Sequence, residues 1–180
     1  MYLTGEAINR YMKEASMPYR SVKKDYNEKK NVNSELCSIC CGKCCRNYGC
    51  HFSPDDFKEI SFEALKNEIE KGYIAIEFID HWTTYSLEEG YILRSRHRGG
   101  PIVDTHGDSF GETCCILLGK DGCKLEYEKR PSGGKLLIPQ IERCYQEYPL
   151  KDCVYEWMPH QEVILKLIEY FEHKEIPCSL

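Results

Sequence analysis

The sequence predicts a small, loop-rich α+β domain, and three observations carry this prediction. Runs rich in branched and aromatic residues at 73–79 and 90–95 predict short strands. Apolar residues at helical spacing elsewhere predict several helices. The chain has 180 residues, which suits a single domain, and 12 cysteines that could staple its irregular stretches through metal–thiolate sites.

The N-terminal part is predicted to be distinct from the rest. Apolar residues at helical spacing predict an amphipathic helix over residues 4–15. Residues 19–35 are polar and lack periodicity, so we expect a linker or a loosely packed arm. The predicted organisation is therefore 1–35, an N-terminal helix and polar arm, and 36–180, a cysteine-cluster domain that ends in a helix.

Helix start and stop signals recur in the second part. Ser53 is a candidate N-cap and Pro54 suits the first helical position, so a short helix should follow. Ser61 begins a second helix, which Gly72 ends. Pro159 precedes a long apolar stripe at helical spacing and is expected to open the last helix.

Strands and turns are predicted for the middle of the chain. We expect residues 90–95 to pair with 73–79 as a hairpin across 86–89. Residues 98–101 contain two glycines and a proline and predict a loop. Residues 114–118 predict a short buried strand or turn.

Composition excludes several classes of function. A net charge of -5, spread along the chain, favours neither nucleic acid nor a membrane surface. No stretch approaches the ~20 apolar residues of a membrane span, and the first residues do not resemble a signal peptide. We expect a cytoplasmic protein that keeps its cysteines reduced, with a protein or peptide as its possible partner.

The densest feature is the cysteine cluster at residues 37–45. Closely spaced cysteines on a tight turn supply several thiolates to one soft metal. Cys37, Cys41, Cys44 and Cys45 have this spacing, and Gly42 allows the positive φ that such a turn often needs. The cluster therefore predicts a metal site.

The spacing C-x3-C-x2-C-C resembles the signature of the YkgJ-type cysteine-cluster family, which is described as zinc- or iron-chelating. Residues 52–57 resemble the segment that follows the signature in that family. Residues 115–118, 122–123 and 127–131 are similar to its second half, where a cysteine precedes a tyrosine and an Arg-Pro pair. The likeness covers roughly residues 37–155.

The chain departs from the family pattern at two places. Residues 132–135 read Ser-Gly-Gly-Lys where the family commonly has Cys-Arg, and the nearest match, Arg143-Cys144, follows the Gly133-Gly134 loop. One extra residue separates Cys123 from Tyr127. The resemblance still implies eight metal ligands: Cys37, Cys41, Cys44, Cys45, Cys115, Cys123, Cys144 and Cys153. The cysteines left outside this set are Cys40, Cys50, Cys114 and Cys178.

The pattern favours iron over zinc. Structural zinc is typically held by two C-x2–4-C pairs, but the downstream cysteines here are single and widely separated. Iron–sulfur proteins accept scattered ligands more readily. A [4Fe–4S] cluster or another iron centre is therefore favoured, with zinc as the alternative. A radical S-adenosylmethionine enzyme is excluded because Lys43 replaces the usual aromatic residue and no βα barrel pattern is present.

Three functions follow from such a site. The favoured one is a redox or accessory role in the modification of a protein or peptide. The second is a structural zinc module that folds a partner-binding surface. The third is a metal-dependent modifying enzyme, because the same signature is associated with a flagellin lysine methylase. Catalytic residues stay unassigned, although His51 lies near the cluster and is the best acid–base candidate.

Overall fold

The computed structural model describes residues 24–40, 42–43, 45, 50–80, 89–105, 114–120, 122–140, 144–146 and 148–174. The helix predicted at 4–15 and most of the hairpin turn predicted at 86–89 lie outside these residues. Within them, short helices and small sheets form an α+β domain, which confirms the predicted fold class.

Helices occur along the whole described chain. The α-helices are α1 (Glu28–Asn31), α2 (Ser34–Cys40), α3 (Phe62–Glu70), α4 (Ser132–Lys135), α5 (Leu150–Trp157) and α6 (Gln161–Glu172). Single 3-10 turns span Pro54–Asp56, Tyr127–Lys129 and Met158–His160. None of the helices in the described ranges is long and apolar enough to cross a membrane.

The strands are mostly short. They are β1 (His51–Phe52), β2 (Ile74–Ile79), β3 (Gly90–Ser95), β4 (Val103–Asp104), β5 (Leu118–Gly119), β6 (Gly122–Cys123), β7 (Leu137–Ile138) and β8 (Tyr145–Gln146). The first four form one sheet in the order β1-β3-β2-β4, and β5-β6 and β7-β8 form two small antiparallel pairs.

The central pair of the main sheet confirms the two strands predicted from sequence. β2 and β3 run antiparallel, with Ile74 opposite Ser95 and Ile79 opposite Gly90. β1 adds to β3 antiparallel, while β4 adds to β2 in parallel. The branched side chains that predicted these strands supply much of the apolar core.

The core lies between the sheet and the C-terminal helices. The stripe predicted after Pro159 is confirmed in α6, where Ile164, Leu167 and Ile168 are buried. Gln161 joins α6 to the sheet: its Oε1 accepts from Tyr91 N–H at 2.9 Å and its Nε2 donates to Tyr91 C=O at 2.8 Å. Helix α5 was not predicted, although Trp157 at its end is fully buried.

The predicted helix starts are confirmed, with one difference in length. Ser61 caps α3 by accepting from Ala64 N–H, and Gly72 ends it with a φ of 87°. Ser53 forms a capping box with Asp56, but the helix stops after one 3-10 turn. The Asp56 carboxylate also accepts from the N–H and hydroxyl of Ser132, each at 2.8 Å, and so ties this turn to α4.

The polar arm is packed more firmly than its sequence predicts. The Lys24 side chain is only 7% exposed, and its Nζ donates to Glu156 Oε2 at 2.8 Å. Asn31 in α1 is buried and donates to the Lys135 carbonyl. The ion pair of Lys24 with Glu156 and the buried contact of Asn31 with Lys135 hold residues 24–31 against the domain. Both partners lie far away in the sequence.

The glycine pair predicted as a loop is instead a helical turn. In α4, Gly133 packs so closely on β1 that a Cβ there would lie 2.7 Å from the His51 backbone nitrogen. Only glycine permits this approach of two backbones. The expectation of a Gly133-Gly134 loop was therefore wrong: the two glycines lie in a helical turn, and Gly133 allows its close packing on β1.

Candidate metal centre

A cavity of about 120 Å³ lies between α2, the β5-β6 pair and α4. Cysteines from separated segments line it: Cys37, Cys45, Cys50, Cys115, Cys123 and Cys144. Water occupies about 30 Å³ per molecule in the liquid, so this space exceeds a single water or a bare ion. A cavity with six cysteines in its wall is the most chemically distinctive feature of the described residues.

The first side of the cavity comes from the predicted cluster. Cys37 lies in α2, and Cys45 accepts a backbone hydrogen bond from Cys115 N–H at 2.6 Å. Gly42 has a φ of 71°, as the tight turn requires, and a Cβ there would collide with Leu118. The turn can therefore lie directly against β5, which joins the early cluster to the downstream cysteines.

Cys115 lies shortly before β5, and Cys123 is the last residue of β6. Backbone N–H groups two residues further on point at both sulfurs: Leu117 donates to Cys115 Sγ and Leu125 to Cys123 Sγ, each at 3.4 Å. A hydrogen bond donated to sulfur favours the thiolate, the form that binds metal. The two segments thus share one local geometry suited to metal ligands.

Cys50 lines the cavity although the sequence analysis placed it outside the ligand set. It directly precedes β1, where its N–H donates to Ser95 Oγ and its C=O accepts from Ser95 N–H, both at 2.8 Å. Its position six residues after Cys44 was a signal in the sequence. The family resemblance leaves Cys50 out of the ligand set because it falls outside the motif.

Cys153 lies elsewhere, in the hydrophobic core. It is fully buried in α5, and its Sγ donates to the Phe52 carbonyl at 3.5 Å. Burial raises the pKa of the Cys153 thiol well above its ordinary value. The structure therefore brings five of the eight predicted ligands to the cavity and places Cys153 away from it.

The remaining cysteines divide into two groups. Cys41 and Cys44 of the predicted set, and Cys178, lie outside the described residues. Cys40 and Cys114 are half-buried and do not line the cavity. Cys114 is thus a neighbour of a cavity cysteine, Cys115, without itself facing the cavity.

The cavity wall also carries a positive charge. Arg130 lines it and is held in place by a hydrogen bond from its Nε to the Leu125 carbonyl at 3.2 Å. A guanidinium beside cysteines favours their thiolate form and offsets part of the charge of a thiolate site. In the sequence, Arg130 stands out only as part of the Arg-Pro pair of the family resemblance, which gives no sign of its place in the cavity wall.

The described ligand candidates surround the cavity without converging on one point. Among the residues that the structure describes, no three Cys, His, Asp or Glu side chains group closely enough to hold a single metal ion. Zinc requires sulfurs about 2.3 Å from one centre.

A buried charged network lies beside the cavity. Arg94 in β3 places its Nε 2.8 Å from Glu77 Oε2 and its Nη2 3.3 Å from Asp104 Oδ2. Burial raises the pKa of Glu77 to about 7, although Arg94 opposes the shift. Three ionisable side chains on three neighbouring strands thus share one buried site.

His51, the acid–base candidate, belongs to the network side of β1. It pairs in register with Arg94, and adjacent residues of extended backbone face opposite sides, so Cys50 faces the cavity and His51 does not. Burial and the nearby Arg94 lower the pKa of His51 to about 4. His51 is therefore neutral near pH 7 and does not line the cysteine cavity.

Comparisons with protein-family models, with curated proteins and with solved structures find no match for this chain. The resemblance to the YkgJ-type family therefore stays a prediction from the motif.

Proposed function

We propose that this chain is a metal-binding protein whose cysteine-lined cavity holds an iron–sulfur cluster, with [4Fe–4S] favoured. The observation that carries the proposal is the meeting of six cysteines from separated segments around one cavity. Such a cluster supplies one-electron transfer, so we assign the protein a redox or accessory role in the modification of a protein or peptide.

Packing alone does not account for the cavity. Buried cysteines that behave as small apolar residues pack within the core, as Cys153 does among the residues around Trp157. The cavity cysteines belong to a separate region, where Cys45, Cys115 and Leu118 form their own small cluster. Arg130 lines the same cavity, and backbone N–H groups donate to the sulfurs of Cys115 and Cys123; a nearby cation and such hydrogen bonds favour thiolates over thiols.

The size of the cavity favours a cluster over zinc. Four sulfurs around one zinc ion close upon it and leave little free space. The cavity that these cysteines line has a volume of about 120 Å³. Iron–sulfur clusters also accept ligands from scattered segments, and the six cavity cysteines come from such segments.

The test is the metal content of anaerobically purified protein. We expect a brown protein that contains iron and acid-labile sulfide and bleaches with dithionite. A colourless protein with one equivalent of zinc would contradict the cluster and indicate a structural zinc module. Protein without either metal would contradict metal binding altogether.

Adjacent cysteines provide a matched pair of variants. Cys115 lines the cavity, whereas Cys114 does not. We expect Cys115→Ser to lose most of the iron and sulfide and Cys114→Ser to keep them, with far-UV circular dichroism confirming that both variants fold. Equal iron content in the two variants would contradict the assignment of the cavity as the metal site.

A further inference from the structure

We infer that Cys50 is a ligand of the metal centre and that Cys153 is a core residue without a ligand role. This inference rests on the proposed function, since it assigns ligands to the same cavity. It replaces one member of the ligand set that the family resemblance implies.

The position of Cys50 is built into the sheet. Two hydrogen bonds of 2.8 Å join the Cys50 backbone to Ser95 at the end of β3. The Cys50 N–H donates to the Ser95 hydroxyl oxygen, and the Ser95 N–H donates to the Cys50 carbonyl. Cys50 precedes β1, but these hydrogen bonds tie its backbone to β3, and a ligand fixed to a regular element is held more rigidly than one on a free loop. The Cys50 sulfur therefore reaches the cavity from a fixed backbone.

Gly134 leaves room for the Cys50 sulfur. A Cβ at this position would lie 3.2 Å from Cys50 Sγ, closer than ordinary van der Waals contact. Gly134 itself lines the cavity, as does Arg130 from the preceding turn. Helix α4 occupies the place where the family commonly has Cys-Arg. At this place Gly134 packs against the Cys50 sulfur, which comes from another segment.

Cys153 lies on a helix but does not reach the cavity. It is 0% exposed within the hydrophobic core, its Sγ donates to the Phe52 carbonyl, and it does not line the cavity. A metal ligand must lose its proton and face the metal. An apolar core opposes the charged thiolate, so the environment of Cys153 preserves a neutral thiol.

The test compares Cys50→Ala with Cys153→Ala in full-length protein purified anaerobically. Iron and acid-labile sulfide per chain, the visible spectrum and the melting temperature are measured for each. We expect Cys50→Ala to retain less than half of the wild-type iron and to change the visible spectrum. Cys153→Ala should keep wild-type iron content and spectrum, with a lower melting temperature because a core sulfur is lost.

Further variants separate loss of a ligand from loss of folding. Cys50→Ser keeps the size of the side chain, and Cys153→Val fills the core site without a sulfur; far-UV circular dichroism checks the fold of each. Folded Cys50 variants with full iron and an unchanged spectrum would overturn the inference, as would a folded Cys153→Val protein that loses its iron. Wild-type protein without metal would instead refute the proposed function, so the two failures are distinguishable.

Discussion

Replacing Gly133 with alanine tests the close packing of α4 on β1. The new Cβ would lie 2.7 Å from the backbone nitrogen and 2.8 Å from the backbone oxygen of His51. Favourable contacts between heavy atoms begin at about 3.5 Å. Both His51 atoms belong to a strand paired with β3 and cannot rotate away, so α4 or β1 must move.

The expected loss follows from two opposing terms. Overpacking a close contact costs about 1–3 kcal/mol. Alanine recovers about 0.5–1 kcal/mol because glycine is the poorer helix former. We therefore expect Gly133→Ala to lower the free energy of unfolding by about 1–2 kcal/mol, which corresponds to a decrease of about 2–8 °C in melting temperature for a chain of this length.

The assay is thermal unfolding followed by far-UV circular dichroism, with metal content measured on the same samples. Gly90→Ala is the control, because the nearest atoms to its Cβ would be side-chain atoms of Gln161 and Met158 at 3.4–3.5 Å, an ordinary contact distance. We expect the control to change stability by no more than about 0.5 kcal/mol. Gly133→Ala should also reduce bound iron, since Cys50 directly precedes β1. A Gly133→Ala protein with wild-type melting temperature and iron content would refute the packing of α4 against β1.

Further predictions concern the buried polar groups of the sheet. Arg94→Met removes the cation that pairs with Glu77 and Asp104, and should lower the free energy of unfolding by about 3–5 kcal/mol; denaturant unfolding measures this, and a loss below about 1 kcal/mol would contradict the pairing. Because burial raises the pKa of Glu77 from 4.5 to about 7, its stabilising contribution is complete below pH 4.5 and is lost as pH rises through 7. Wild-type protein should therefore lose stability relative to Glu77→Gln between pH 4.5 and 7, and a difference that does not change with pH would contradict the raised pKa. Gln161→Met removes both hydrogen bonds to the Tyr91 backbone and should cost about 1–3 kcal/mol in urea unfolding, whereas an unchanged midpoint would show that this contact contributes nothing.

Local patterns predicted several elements because local chemistry is enough to form them. The branched residues of β2 and β3 favour extended backbone wherever they pack, and the Ser61 cap with the Gly72 stop acts within α3 itself. Helix α5 was not predicted because it is stabilised by the burial of Trp157 against Phe52, which is more than 100 residues away. There Trp157 Nε1 donates to the Phe52 carbonyl at 2.7 Å. Such a contact leaves no mark on the nearby sequence.

The candidate site likewise combines residues that sequence spacing identifies with residues that only their surroundings in the fold identify. Cys37 and Cys45 were found because cysteines so closely spaced are rare without a metal, and both line the cavity. The choice between Cys50 and Cys153 could not be made in this way, because one thiol looks like another in a sequence. Their surroundings differ: a sheet edge beside Gly134 for Cys50, and an apolar core for Cys153.

An α+β fold and a dense cysteine cluster follow from periodicity and residue spacing, which are local properties of the chain. Three further features became visible in the folded protein: which distant cysteines meet that cluster, the anchoring of the arm to Glu156 by Lys24, and the helical turn that a glycine pair forms against β1. The physical reason is that these contacts join segments far apart along the chain. Burial and packing of the whole domain bring such segments together, and no single stretch of residues specifies them.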